Sequence, residues 1–274
     1  MKRSKKREKK KRRRDGVKRP FNHSRFRRRH IALRVCYIGI NYHGFALQDE
    51  TLPTVELHLL QALEKTCLIQ DRVSCQYSRC GRTDTGVSAL GQVISVVVRS
   101  KQQNVAVTTI DTNTTITTTR NKVTNDTIAL AKTKFKSSDV PYLPHEEELD
   151  YAMLLNRVLP KDIRIIAWCP VPDHFNARFS CSYRLYRYYF TKRQLDLEAM
   201  RVGGKYLLGQ HDFRNFCKMD VVNVRNYNRE LLSFNISPAT TPTNTSEDLY
   251  YMEFKGIINY KSFWVVFFNI FFSF

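Results

Sequence analysis

The stretch Cys80-Gly81-Arg82-Thr83-Asp84-Thr85-Gly86-Val87-Ser88-Ala89-Leu90-Gly91 holds the side chains of this 274-residue chain best suited to making and breaking bonds. A carboxylate, Asp84, stands between glycines, which permit tight turns and close backbone approach. Arg82 precedes it by two positions, and in extended backbone positions i and i+2 point the same way. The guanidinium is then placed to pair with the carboxylate, keep it ionised and aim it. A carboxylate held in this way at the edge of a basic cleft suits a nucleophile acting on a polyanion. The competing reading is an Asx-turn in which Asp84 bonds its own backbone, and local spacing alone favours it. Further along, Arg184, Tyr186 and Tyr188 share one face if their segment is extended, with Arg187 between them. The plain alternative there is an aromatic stripe in a sheet core. Arg178 and Arg187 suit phosphates or solvent equally. His211-Asp212 invites an acid–base reading, but a helix N-cap followed by Phe213 inserted into the core is simpler.

The elements that must hold these residues emerge from periodicity. Residues 31–38 are rich in strand formers and read as a buried strand. Residues 39–48 form a turn with aromatics. Thr54 is the N-cap of a helix whose Leu57, Leu60, Leu63 and Cys67 share a face. Residues 74–80 read as a short strand, 81–91 as a loop, and 92–100 as a strong strand. Residues 101–143 are dominated by Thr, Asn, Lys and Ser, which marks a low-complexity insert or linker; a Thr-rich hairpin is the alternative. A helix is expected over 146–159, with acids in its first turn. A strand comes next at 163–168, then a long alternating segment at 175–190 and a helix at 197–208. A helix entry is expected at 209–213, and strands at 231–236 and 249–258. The expected architecture is α+β: two similar lobes with antiparallel sheets and covering helices, and a cleft between them. The domain reading is a basic disordered tail at 1–29, a lobe carrying the Asp84 loop at 30–100, the insert at 101–143, and a C-terminal lobe at 144–274, read as incomplete.

The Asp84 stretch resembles the catalytic motif of the TruA-type tRNA pseudouridine synthases, whose core reads G-R-T-D-x-G-V-x-A. Gly81, Arg82, Thr83, Asp84, Gly86, Val87 and Ala89 all match it. The likeness extends through Ala32-Leu33-Arg34-Val35 and Tyr42-His43-Gly44-Phe45, through Leu155 to Pro160 with Asp162-Ile163-Arg164, and through Phe175 to Ser180 and Arg184 to Tyr188. Gly209 to Phe213 and Arg214 to Lys218 continue it. Cys80, Ser88 and Asn215-Phe216-Cys217-Lys218-Met219-Asp220 resemble the eukaryotic enzymes for anticodon-stem positions 38 and 39. The resemblance implies an isomerase that turns uridine into pseudouridine in the anticodon stem-loop of tRNA. It implies Asp84 as the essential carboxylate, Arg82 as its partner, and Tyr186 as the active-site tyrosine that stacks on the flipped uracil or moves a proton. It makes Arg178, Arg184, Arg187 and Tyr188 candidate substrate contacts. The reaction requires neither metal nor cofactor, and tRNA is the implied partner; a homodimer is compatible with the family.

Charge adds a second theme. Residues 1–29 hold 17 Lys/Arg against two acids, a net +15 out of the chain's +20. Such a tail reads as a polyanion-binding arm or an import signal, or as a solvated disordered extension. The expected compartments are nucleus, cytoplasm or both. Seven cysteines without a C-x-x-C pair suggest neither a disulfide framework nor a zinc site. The apolar run 263–274 is too short for a bilayer span, which needs about 20 residues. Residues 257–274 also depart from the family, which continues into a helix with a His/Met-x-x-Arg segment. The alternative expectation is therefore a truncated, catalytically inactive RNA-binding member of the family.

Overall fold

The computed structural model describes residues 20–48, 51–104, 144–216, 226–239 and 248–257. They fall into two units, divided between Arg178 and Phe179. Both contain an antiparallel four-stranded sheet with few helices.

The first unit is built from β1 (Phe26–Tyr37), α1 (Val55–Lys65), β2 (Ser78–Arg79), β3 (Ala89–Gln103), α2 (Tyr151–Asn156) and β4 (Ile163–Pro170), in sheet order β2-β3-β1-β4. β1 is central, and every second residue from Ile31 to Tyr37 enters the core: Ile31, Leu33, Val35 and Tyr37 are at most 2% exposed. They meet Ile94, Val96 and Val98 of β3 and Ile163 and Ile165 of β4. Val55, Leu59 and Leu63 of α1 and Tyr151 and Leu155 of α2 belong to the same core. Each such fully buried aliphatic side chain contributes about 1.5–3 kcal/mol. Thr54 caps α1 as expected, its hydroxyl accepting the Leu57 N–H at 3.3 Å.

The second unit holds β5 (Arg184–Thr191), α3 (Leu197–Lys205), β6 (Gly209–Asp212), β7 (Asn228–Pro238) and β8 (Leu249–Ile257), in sheet order β5-β8-β7-β6. Its smaller core gathers Phe190, Leu197, Phe213, Leu231, Ile236, Met252 and Phe254.

Several expectations change. The division lies at 178/179 rather than within the 101–143 insert, because β4 pairs with β1 from Ile31↔Pro170 to Tyr37↔Ile163 and so joins the first sheet. β1 begins at Phe26, inside the stretch read as tail. Arg29, which read as solvated, is 7% exposed and pairs with Glu148 at 3.3 Å. That carboxylate also accepts from Ser100 Oγ and from the N–H groups of Lys101 and Leu149. Burial alone would raise its pKa, but these bonds and Arg29 hold it below the ordinary value. With Glu148 turned into the sheet, the expected helix from 146 starts only at Tyr151, where the Asp150 side chain accepts the Met153 N–H at 2.9 Å. Gly209–Asp212 is a strand paired with β7, not a helix entry. Asp212 still caps a short element, a 3-10 turn at Arg214–Phe216, by accepting the Arg214 N–H at 3.0 Å, and Phe213 is 2% exposed. Most of the basic run (1–19), most of the insert (105–143), residues 217–225 with the family-like Cys217 to Asp220, and the Phe-rich end (258–274) lie outside the described residues. Among the described residues no helix is long and apolar enough to cross a membrane.

Candidate active site

Asp84 sits on the connection from β2 to β3, and the loop is tied along its length. Its entrance is fixed by the Cys80 N–H on Val93 O at 2.8 Å and by Gln92 Nε2 on Gly81 O at 2.9 Å. Its middle is fixed by the turn after β1. The Phe45 N–H donates to Thr83 O at 3.0 Å and the Gly86 N–H to Tyr42 O at 3.2 Å. The side of the loop is fixed by Ser88 Oγ, which accepts the Gly39 N–H at 3.0 Å. Two glycines allow the strands of this weave to approach. A Cβ on Gly39 would stand 2.0 Å from Val87 O; one on Gly44, whose φ is +82°, would stand 2.7 Å from Thr83 O.

Two tyrosines support the weave from below. Tyr37 and Thr83 share a hydroxyl–hydroxyl hydrogen bond of 2.8 Å, and burial pushes the Tyr37 phenol up to about 12. Tyr42 donates to Asp162 Oδ1 at 2.6 Å, while the Ile38 N–H bonds Asp162 O at 2.9 Å. Burial first, and the Asp162 carboxylate second, push the Tyr42 phenol well above its ordinary value. Both hydroxyls therefore stay protonated and hold their bonds across the neutral range. Neither tyrosine stands out as a functional residue in the sequence. The signal for Tyr37 was its place in the Ile31, Leu33, Val35 alternation, which puts a polar tip at the core's edge beside the loop.

The backbone is thus held while the tip of the loop is open. Asp84, Thr85 and Arg82 are exposed. The expected ion pair between Arg82 and Asp84 is not made: among the described residues neither side chain has a hydrogen-bond or salt-bridge partner. The i, i+2 argument assumed extended backbone, but the chain turns at Asp84, whose carbonyl accepts the Val87 N–H at 3.2 Å. That turn is made by backbone rather than by the carboxylate, so the Asx-turn alternative is not adopted either.

Arg178 is exposed in the first unit, on a segment docked beside the loop's root: the Ala177 N–H donates to Ser78 Oγ at 2.8 Å. In the second unit, β5 is extended and half-buried on alternate residues, so Arg184, Tyr186 and Tyr188 do share a face. Tyr186 stacks on its cross-strand partner Phe254 at 5.3 Å, and both Tyr186 and Tyr188 pack on the second core. Arg187 lies on the opposite face. Its Nε bonds Glu253 at 2.6 Å and its guanidinium lies 4.9 Å from the Tyr251 ring.

The sequence that builds this loop and strand has relatives among known proteins. A family profile described as tRNA pseudouridine synthase matches residues 204–257. The tRNA pseudouridine(38/39) synthase of Homo sapiens is 44% identical over 218 residues, which cover 79% of this chain and 40% of the human protein. Its counterpart in Mus musculus is 43% identical over 217 residues, again 79% and 40%. That of Saccharomyces cerevisiae is 41% identical over 224 residues, 80% of this chain and 43% of the yeast protein. Over about four-fifths of its length the chain is similar to members of the tRNA pseudouridine synthase family. Among these are the eukaryotic proteins named for positions 38 and 39, and the chain spans about two-fifths of their length.

Proposed function

We propose that this chain carries the catalytic portion of a tRNA pseudouridine synthase acting on the anticodon stem-loop, with positions 38 and 39 as its targets. The reaction is an isomerisation. The bond from ribose C1′ to uracil N1 breaks, the base turns, and C1′ bonds to C5; the C5 proton is lost and N1 gains one. Asp84 is the reacting carboxylate. Attack on the base, attack on the ribose and elimination at the sugar all need a carboxylate that a flipped nucleotide can reach, on a backbone that does not yield. The single observation that carries this reading is the exposed Asp84 on a loop bonded at Gly81, Thr83 and Gly86.

Arg82 serves in this proposal as a cation for the substrate's phosphates, since it does not pair with Asp84. Tyr186 supplies the ring under the uracil and a hydroxyl for proton movement. The likeness of both the Asp84 segment and the Tyr186 segment to the family supports these roles. Arg178, Arg184, Arg187 and Tyr188 contact the stem, Arg187 while also bonded to Glu253. Substrate is held by its backbone and shape, as expected for RNA helices. The basic N-terminal run adds unspecific attraction, and its composition supports nuclear as well as cytoplasmic residence, which a fluorescent fusion tests. A homodimer is the proposed assembly, tested by light scattering. The function itself is tested by incubating the chain with unmodified tRNA transcripts and mapping pseudouridine. Its appearance at positions 38 or 39 is expected, and no pseudouridine with a folded, tRNA-binding chain refutes the proposal.

A further inference from the structure

We propose that Glu56 is a positioning residue that clamps the two segments framing the Asp84 loop, an inference that rests on Asp84 being the reacting carboxylate. Glu56 lies in the first turn of α1 among Val55, Leu57, Leu59 and Leu60, and is 2% exposed. A carboxylate so placed is unfavourable unless both oxygens are bonded. Both are, and to different segments. Oε2 accepts the Leu47 N–H at 2.6 Å, and Oε1 accepts Arg79 Nη1. Leu47 closes the turn whose Tyr42 carbonyl and Phe45 N–H hold the middle of the loop. Arg79 is the last residue of β2, immediately before Cys80 at the loop's entrance.

The backbone around Glu56 extends the clamp. The Glu56 N–H donates to Phe45 O at 2.9 Å and the Val55 N–H to Gly44 O at 3.3 Å, so the start of α1 grips the same turn. Tyr77, on the same path into the loop, is half-buried and its hydroxyl is buried beside this group. Burial first, and the Glu56 carboxylate second, push its phenol well above the ordinary range, so the hydroxyl brings no second negative charge. Nothing in this arrangement touches the nucleotide that Asp84 would meet. Glu56 acts through the spacing between the 39–47 turn and the 79–84 segment, and hence through the height of Asp84 above the weave.

The test compares the full chain with Glu56→Gln, Arg79→Gln, the double variant, and Asp84→Asn. Hydrogen exchange is read at the Phe45, Cys80 and Gly86 amides, with Leu33 and Ile94 as core reporters. Glu56→Gln should speed exchange at the three loop amides on the order of tenfold and leave the core amides unchanged. Single-turnover conversion of an anticodon stem-loop RNA should fall about 10- to 100-fold, with the RNA Kd within about twofold. The double variant should be no worse than Glu56→Gln alone, because the only contact that Arg79→Gln removes from this clamp is one that Glu56→Gln has already weakened. Unchanged loop exchange in Glu56→Gln overturns the proposal, as does equal acceleration at loop and core, which marks a purely structural role. Asp84→Asn should exchange like the unmodified chain. If it converts RNA normally, the reading of the site has failed, and that failure is seen separately from the exchange result.

Discussion

Gly39→Ala puts the loop's support to a demanding test. Gly39 is buried, and a methyl there would lie 2.0 Å from Val87 O and 2.4 Å from its carbon. A Cβ essentially never approaches a neighbour below 3.0 Å. The obstacle is backbone, so no rotamer change relieves it, and the Val87 carbonyl must retreat by roughly 1 Å. Val87 is three residues from Asp84 and bonded to its carbonyl, so the carboxylate moves with it. Displacement of a reacting group by about 1 Å costs on the order of a hundredfold in rate, while overpacking of this kind costs about 1–3 kcal/mol in stability. The assay is single-turnover conversion at saturating RNA beside thermal melting, with Gly91→Ala as control. There the added methyl meets the flexible Arg34 side chain, with Nε at 2.8 Å. Gly39→Ala should stay folded, melt several degrees lower and convert about a hundredfold more slowly, and Gly91→Ala should be near normal. Equal rates in the two variants would refute the claim that contact with the 39–45 turn aims Asp84.

Other consequences are more local. Glu148→Ala removes the carboxylate partner of the buried Arg29 and should cost about 3–5 kcal/mol in denaturant melts. Because the folded pKa of Glu148 is depressed, its contribution is complete above the ordinary carboxylate pKa; it is lost as pH falls through the lower folded value, so acid melts should separate the unmodified chain from Glu148→Gln most clearly above that window. Deleting residues 1–19, which hold 13 Lys/Arg and two acids, should leave the melting temperature unchanged and flatten the dependence of RNA affinity on salt. Tyr186→Phe keeps the stack on Phe254 and loses the hydroxyl, so turnover should fall about a hundredfold with normal melting. Arg187→Ala breaks a pair that is partly exposed on both sides and should change stability by less than about 1 kcal/mol.

The features legible in the sequence and those hidden from it divide by the range of the forces involved. β1, β3 and α1 were legible because their apolar residues recur at the period of the element that buries them. The alternation of Arg184, Tyr186 and Tyr188 was legible for the same reason. Arg27-Arg28-Arg29 was not legible as strand: three successive cations read as solvated until Glu148, 119 residues away, is brought beside Arg29. The same carboxylate disguised the start of α2, since an acid before a helix looks like a dipole partner whether it faces out or in. At the site, motif spacing marked Asp84 but misjudged its relation to Arg82, because a turn centred after Asp84 breaks the i, i+2 register. The groups that hold the loop, Tyr37, Tyr42, Glu56 and Asp162, come from distant segments, and only the assembled sheet brings them to one place.

The most direct measurement is single-turnover pseudouridine formation by the unmodified chain and by Asp84→Asn on the same tRNA transcript, at protein concentrations adjusted to equal occupancy. The substitution preserves size and leaves every bond of the loop backbone in place, including Val87 N–H to Asp84 O at 3.2 Å. Conversion at positions 38 or 39 by the unmodified chain, with none detectable for Asp84→Asn at equal binding and equal melting temperature, is the predicted result. Comparable conversion by both proteins would contradict the assignment of Asp84.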